Sequence, residues 1–191
     1  LEAADELARK MVADFWDDQD GAFFYTSAAH RDVLVRTKPF FDGAVPSGNS
    51  AAAAVLFRLA KLLDHAEYSN KAAAVLASMG ERIRAQPRAS LDLLVAADFY
   101  LRPTREIAIA GQRGSDPTRR FLEIIHRRFL PNKILAMAEP GEAGAKAAET
   151  IPLLRGKSMI SGETTVYVCE GFACKRPVRD DAGLEAMLED N

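Results

Sequence analysis

The spacing of apolar residues changes near Arg102, and this change constrains the fold more than any single motif. Before it, apolar residues in Ala-rich segments recur at helical spacing, with short turns between the segments. After it, apolar runs at 106–110 and 133–138 flank a predicted helix. A strand–helix–strand order predicts two parallel strands joined by a crossover. We therefore expect an α+β fold, with helical hairpins over 1–102 and a small α/β region over 103–191.

Turn and capping residues set the limits of the predicted elements. Asn49 or Ser50 is the predicted N-cap of one helix and Ser90 that of another, because their side-chain oxygens can accept the first backbone N–H groups. Pro87 ends the helix between them, since proline cannot continue the hydrogen-bond ladder. The predicted helices cover about 1–16, 50–63, 68–85, 91–101, 116–129 and 181–188, and a further strand covers 163–169.

A short aromatic run, Ala22 to Thr26, predicts a strand after the first helix. Val33 to Val35 is its predicted hairpin partner. The acidic residues Asp17, Asp18 and Asp20 precede the run, in a segment of turn residues. They could form a turn, act as paired carboxylates in glycoside chemistry, or bind a hard cation.

Composition excludes several classes of protein. The 25 basic and 27 acidic residues give a net charge of -2, which disfavours a nucleic-acid-binding or anionic-membrane-binding domain. Two cysteines exclude a disulfide-rich secreted scaffold. Arg58 and Lys61 interrupt the most apolar stretch, so no membrane span is predicted. With no targeting segment in view, we expect a cytoplasmic protein, and the sequence predicts no cofactor and no metal.

The loop from Arg36 to Ser50 concentrates polar side chains beside a predicted helix N-terminus. Exposed N–H groups and the helix dipole favour a polar or anionic ligand at such a position. One interpretation is therefore a ligand site. The other is a loop that satisfies its own groups, with Asn and Ser capping the helix and Asp42 paired with a neighbouring cation. The candidate ligand-binding residues are Arg36, Lys38, Ser47 and Asn49, with Asp42 as a candidate catalytic acid or base.

Two further features allow more than one interpretation. Four residues separate Cys169 from Cys174, so the pair is not the Cys-x-x-Cys of a redox helix. It could be two buried thiols, a local disulfide or part of a metal site. His126 lies among arginines on a predicted helix, which indicates a solvated face or a small anion-binding patch.

Several short segments, in order along the chain, resemble the spermatogenesis-associated, thioredoxin-domain-containing protein family of bacteria and animals. The resemblance covers nearly the whole chain, and Ala22 departs from it where the family usually has Gly. The segments are Asp20–Phe24, Asp42–Ser50 after Arg36 and Lys38, Glu106–Gly111, Phe129–Asn132, Ile151–Leu154 with Gly156-Lys157, and Tyr167–Cys169 followed by Cys174 and Pro177.

This resemblance implies a much longer parent protein. It would begin with a thioredoxin-like domain and continue as a helical barrel similar to six-hairpin glycosidases and N-acylglucosamine 2-epimerases. The present chain, which begins with Leu1, would be the C-terminal portion: the last hairpins of an incomplete α/α barrel and a terminal α/β unit. Helices of an incomplete barrel expose apolar faces, so we expect self-association through Leu1 to Phe15.

By analogy with the sugar-active barrels, the Arg36 to Ser50 loop would lie at the barrel mouth. The leading hypothesis is a site for a carbohydrate or another polar metabolite. A second hypothesis is a non-catalytic scaffold for the thioredoxin-like domain of the parent chain. A third gives Cys169 and Cys174 a thiol-redox role.

Overall fold

Residues 1–171 and 173–189 are described by a computed structural model of the chain. They divide into two units, and residues 1–61 and 65–101 form the first. The second contains residues 62–64 and the chain from Arg102 onward. The helices that begin in the first hundred residues are α1 (Glu2–Phe15), α2 (Gly48–Leu63), α3 (Ala66–Ala85) and α4 (Leu91–Leu101).

The aromatic run forms a hairpin with a partner other than the predicted one. Strand β1 (Trp16–Asp17) pairs antiparallel with β2 (Ala22–Phe23), and Trp16 lies opposite Phe23. The predicted partner, Val33 to Val35, was wrong, because these residues lie outside the strands. Gly21 has a φ of 71°, a left-handed conformation that glycine adopts readily, and it closes the turn between β1 and β2.

Helices α2, α3 and α4 bury apolar side chains, whereas Leu7, at a predicted apolar position of α1, is exposed. Leu56 of α2 and Val75 of α3 are fully buried, as is Leu93 of α4. Burial of such faces supplies most of the stability of short helices. The other large buried side chains of this unit are Phe23, Phe57, Leu59, Tyr68, Met79 and Phe99.

The second unit contains a four-stranded mixed sheet among the described residues. Strands β3 (Arg105–Ala110) and β4 (Lys133–Ala138) are parallel, which confirms the predicted strand–helix–strand order. Helix α5 (Asp116–Arg127) connects them. Strand β5 (Thr165–Glu170) pairs antiparallel with β3, and β6 (Ala173–Cys174) pairs with β5 at the edge of the sheet.

Alternating residues of β3 face different cores within this unit. Ile107 and Ile109 pack into a cluster with residues of α5 and of α7 (Asp181–Glu189). Ala108 belongs to a second cluster, against which residues of α6 (Glu142–Thr150) pack. Both faces of the strand are therefore covered, which is typical of a strand whose sequence is a continuous apolar run. The prediction of an α+β fold is confirmed, and the incomplete barrel stays a prediction.

The arginines around His126 are engaged in ion pairs. Because each cation already has an acidic partner, the geometry favours the solvated face over the anion-binding patch. The pairs are Arg119–Asp116, Arg120–Asp181, Arg127–Glu185 and Arg128–Glu189. Within the described residues, no helix has both the length and the apolar character needed to cross a membrane.

Candidate functional site

Asp42 is buried in the loop before α2, with 8% of its surface exposed. Its Oδ1 accepts a hydrogen bond from the backbone N–H of Ser47 at 2.8 Å. Its Oδ2 accepts from the N–H of Asp92 at 2.9 Å and from that of Leu93 at 3.3 Å, both in the first turn of α4. These N–H groups have no partner inside the helix, so a carboxylate placed here caps α4. Asp42 thus ties its own loop to the start of α4.

The same hydrogen bonds control the charge of Asp42. Burial on its own raises the pKa of a carboxyl group. Here the donors from Ser47, Ser50 and Leu93 outweigh burial, and they hold the pKa of Asp42 below its usual range. The group is therefore an ionised acceptor whose two oxygens are both engaged. A catalytic role for Asp42 stays a prediction, and the geometry supports the structural role more directly.

Asn49 is fully buried and fixes the hairpin to the loop. Its Oδ1 accepts from the N–H of Phe23 at 2.8 Å, and its Nδ2 donates to the carbonyl of Phe23 at 2.9 Å. A third hydrogen bond runs from Nδ2 to the carbonyl of Pro39 at 2.8 Å. The amide thereby pairs both backbone groups of Phe23, in addition to the pairing of β2 with β1, which explains how a two-residue strand is held in place.

The cap of α2 is Ser47, and the predictions of Asn49 and Ser50 were wrong by a few residues. Ser47 Oγ accepts from the backbone N–H of Ser50 at 3.2 Å, the pattern of an N-cap residue and the third helical position. The hydroxyls of Ser47 and Ser50 also lie 2.8 Å apart. Helix α2 begins at Gly48, so Asn49 lies inside its first turn.

The two candidate cations of the loop are both engaged with the hairpin. Arg36 donates to the carbonyl of Thr26 from Nε and Nη2, and its guanidinium lies 3.9 Å from the ring centroid of Phe24. Lys38 forms ion pairs with Asp17 and with Asp20. The hydrogen bond from Lys38 lowers the pKa of Asp17. Burial alone would lower the pKa of Lys38, but its two acidic partners raise it.

The five candidate residues are all engaged in hydrogen bonds or ion pairs within the loop and the hairpin, and Asp42 and Ser47 contact each other. A groove of about 450 Å³, open to solvent, lies between the β1–β2 turn and α3. None of the five lines it. The lining residues are Trp16, Asp18, Gln19, Asp20, Gly21, Glu67, Asn70, Lys71, Ala74, Ala77 and Ser78.

Trp16 is central to the polar contacts of this groove. Its Nε1 donates to Asp18 at 2.7 Å, and the Lys71 ammonium lies 4.5 Å from the indole centroid. Lys71 is also 3.7 Å from a carboxylate oxygen of Glu67. The indole and the ring of Phe23 form an edge-to-face pair, with ring centroids 5.0 Å apart. The groove thus combines an aromatic ring with carboxylate, amide, hydroxyl and ammonium groups.

Sequence reasoning missed this groove because its two walls are far apart in the chain. One signal was present: two of the three acidic residues singled out in the turn, Asp18 and Asp20, do line it. Nothing local indicated that α3 would supply the other wall. Within the described residues, no group of three or more His, Cys, Asp or Glu side chains could hold a metal ion.

In the second unit, Cys169 and Cys174 form a disulfide. They occupy directly opposite positions on β5 and β6. Of the alternatives that the spacing allowed, the structure therefore contains the local disulfide. Cys169 is buried, whereas Cys174 is exposed on the edge strand.

Fold and site define an α+β chain with a polar groove on a helical unit and a disulfide at a sheet edge. Spermatogenesis-associated protein 20 of Homo sapiens is 31% identical to it over 175 residues, 91% of this chain and 22% of that relative. The Mus musculus protein of the same name is 30% identical over 175 residues, which are again 91% of this chain and 22% of the relative. An uncharacterized Caenorhabditis elegans protein is 27% identical over 189 residues, which are 98% of this chain and 25% of the length of that relative.

These matches support the resemblance to the spermatogenesis-associated family. The chain spans 22% of the length of the mammalian relatives. No protein-family model matches the chain, and no solved structure gives a significant match.

Proposed function

We propose that the helical unit binds a polar, hydroxyl-rich small molecule of the carbohydrate class in the groove beside Trp16. The proposal rests on one observation: the Trp16 indole lines the same groove as side chains that donate and accept hydrogen bonds. Ligand sites usually combine an apolar surface with a few polar groups that fix orientation. A sugar matches this combination, since its hydroxyls donate and accept while its C–H faces are apolar.

The charge of the groove narrows the ligand class. Asp18, Asp20 and Glu67 contribute three carboxylates to the lining, against the single ammonium of Lys71. Lys38, from outside the lining, compensates Asp20. The remaining negative charge repels phosphate and carboxylate groups. We therefore propose a neutral sugar or an amino sugar as ligand, and not a phosphorylated one.

In this proposal the loop residues position the groove. Lys38 holds the Asp17–Asp20 turn, and Asn49 holds Phe23, on which Trp16 packs. Direct binding of hydroxyl or anionic groups by Arg36, Lys38, Ser47 or Asn49, and acid–base chemistry at Asp42, remain hypotheses. Each of these five side chains would have to break its present hydrogen bonds within the protein before it could contact a ligand.

Trp16 makes the proposal directly testable, because it is the one tryptophan of the chain. Its fluorescence is measured while glucose, glucosamine, N-acetylglucosamine and glucose 6-phosphate are titrated separately. We expect a saturable change with a neutral or amino sugar and none with the phosphate ester. Asn70→Ala should weaken the response, whereas Gln112→Ala, which removes an exposed amide outside the groove, should not.

The engagement of Asp42 and Asn49 in internal hydrogen bonds favours a second candidate function. A loop that satisfies its own groups is suited to a non-catalytic scaffold, here for the thioredoxin-like domain that the family resemblance implies. The sugar titration separates the two proposals. A flat Trp16 response to every sugar, with calorimetry detecting no heat of binding, supports the scaffold and contradicts the ligand site.

A further inference from the structure

We infer that Cys169 and Cys174 form a reversible thiol–disulfide exchange site, with Cys174 as the sulfur that an external dithiol attacks. The pair lies where β5 meets the edge strand β6, in the order β4-β3-β5-β6. Cys169 is 3% exposed, whereas Cys174 belongs to the exposed edge strand. An incoming thiolate therefore reaches Cys174 more easily than Cys169.

The backbone around the bond remains paired without it. The neighbouring N–H of Lys175 donates to the carbonyl of Val168 at 2.9 Å. Val166 and Val178 exchange two further hydrogen bonds, of 2.8 and 3.0 Å. Leu184, in the α7 segment that follows, is fully buried in the core. Reduction consequently opens the end of the hairpin while the chain on both sides of it stays docked.

The small number of residues between Cys169 and Cys174 also favours reversible reduction of the disulfide. The sequence separation of the two cysteines is 5, so the disulfide closes a small ring. A small ring removes little conformational entropy from the unfolded chain, and the fold depends on it less than on a bond closing a long loop. Arg176 is exposed two residues after Cys174, and its positive charge attracts an anionic thiolate.

The exchange balances with a dithiol as the reductant. One thiolate of the dithiol attacks Cys174 Sγ, the Sγ–Sγ bond breaks, and Cys169 leaves as a thiolate that takes a proton from water. In the mixed disulfide, the first sulfur of the dithiol is bonded to Cys174 Sγ. The second thiolate of the dithiol attacks that first sulfur, and Cys174 leaves as a thiolate that takes a proton from water. Two electrons pass to the cysteine pair, and the dithiol becomes a disulfide.

The first experiment treats the folded chain with dithiothreitol without denaturant, traps thiols with N-ethylmaleimide, and counts labels by mass spectrometry. We expect two labels, an unchanged circular dichroism spectrum, and recovery of the unlabelled state when dithiothreitol is removed and oxidised glutathione is added before trapping. A bond that is reduced only in urea overturns the proposal, because the site would then be a structural disulfide.

The second experiment tests the direction of attack with single-cysteine variants. Cys169→Ser leaves Cys174, and Cys174→Ser leaves Cys169. We expect the exposed thiol that remains in Cys169→Ser to react with Ellman's reagent at least about tenfold faster than the thiol in Cys174→Ser, since burial shields Cys169 from the reagent. Equal or reversed rates contradict the assignment of Cys174. If a variant fails to fold, the attacked sulfur is identified in the wild-type protein, by mapping which cysteine forms a mixed disulfide with glutathione.

Discussion

The Oδ2 of Asp42 lies 2.9 Å from the backbone nitrogen of Asp92, fifty positions further along the chain. Through this contact Asp42 caps α4, the helix for which Ser90 is the predicted local cap. Ser90 does precede the helix, but its buried Oγ has no hydrogen-bond partner among the described residues. The negative charge of Asp42 is also favourable at a helix N-terminus, where the helix dipole is positive.

The first prediction concerns the charge of this cap. Asp42→Asn replaces an anionic acceptor by a single neutral carbonyl oxygen, while the N–H groups of Ser47, Asp92 and Leu93 still need acceptors. We expect the free energy of unfolding to fall by about 1–3 kcal/mol. Urea unfolding followed by circular dichroism measures it. Asp32→Asn, at an exposed position, is the control and should leave stability unchanged.

A variant with wild-type stability would contradict the capping role of Asp42. If such a variant also lost a ligand response that wild-type protein shows, the acid–base hypothesis for Asp42 would gain support. Loss of stability without loss of ligand response supports the structural role.

The second prediction follows from the lowered pKa of Asp42. A group whose pKa is lower in the folded state stabilises the fold at pH above its unfolded value, here 3.8. That contribution is lost as the pH falls through 3.8 toward the folded pKa. We expect wild-type protein to lose more stability than Asp42→Asn between about pH 6 and about pH 3. Urea unfolding of both proteins at the two pH values measures the difference, and parallel losses would contradict the prediction.

The elements that local sequence signals define were largely predictable. Strand β4 has the predicted limits, 133–138, and β3 begins one residue earlier than predicted. The reason is local: each strand contains a continuous apolar run, and Pro117 marks the start of the helix between them. Burial of Ile107 and Ile109 on one side and Ala108 on the other explains why the run lacks polar alternation.

The contacts that could not be predicted from the sequence are those between residues far apart in the chain. Trp16 extends the helical spacing of α1, so nothing local indicated that it begins a strand opposite Phe23. The contact of Asp42 with α4 and the approach of α3 to the acidic turn depend on packing of separate segments. The polar loop was correctly singled out as unusual, but its polarity serves internal hydrogen bonds that composition alone cannot distinguish from ligand contacts.

The third prediction concerns the buried amide of Asn49. Asn49→Ala leaves the N–H and carbonyl of Phe23 and the carbonyl of Pro39 without their partner. We expect the free energy of unfolding to fall by about 2–4 kcal/mol, since buried polar groups left unsatisfied are costly. Guanidinium unfolding measures it. Asn70→Ala, at an exposed position, is the matched control and should have a much smaller effect.

The environment of Trp16 gives an independent readout of the same change. Because Trp16 packs on Phe23, loosening of β2 should alter its fluorescence in the Asn49→Ala variant before global unfolding begins. A variant that loses stability with an unchanged fluorescence spectrum would show that the amide stabilises the loop without holding the hairpin.

The fourth prediction is self-association through α1. Leu7 is 68% exposed on this helix, and an apolar side chain in water favours contact with a second apolar surface. We expect the average mass measured by light scattering to rise with protein concentration, and Leu7→Glu to reduce that rise. Leu34→Glu is the control, because Leu34 is also exposed but lies outside α1. A monomer at high concentration, or equal effects of the two substitutions, would exclude α1 as the contact surface.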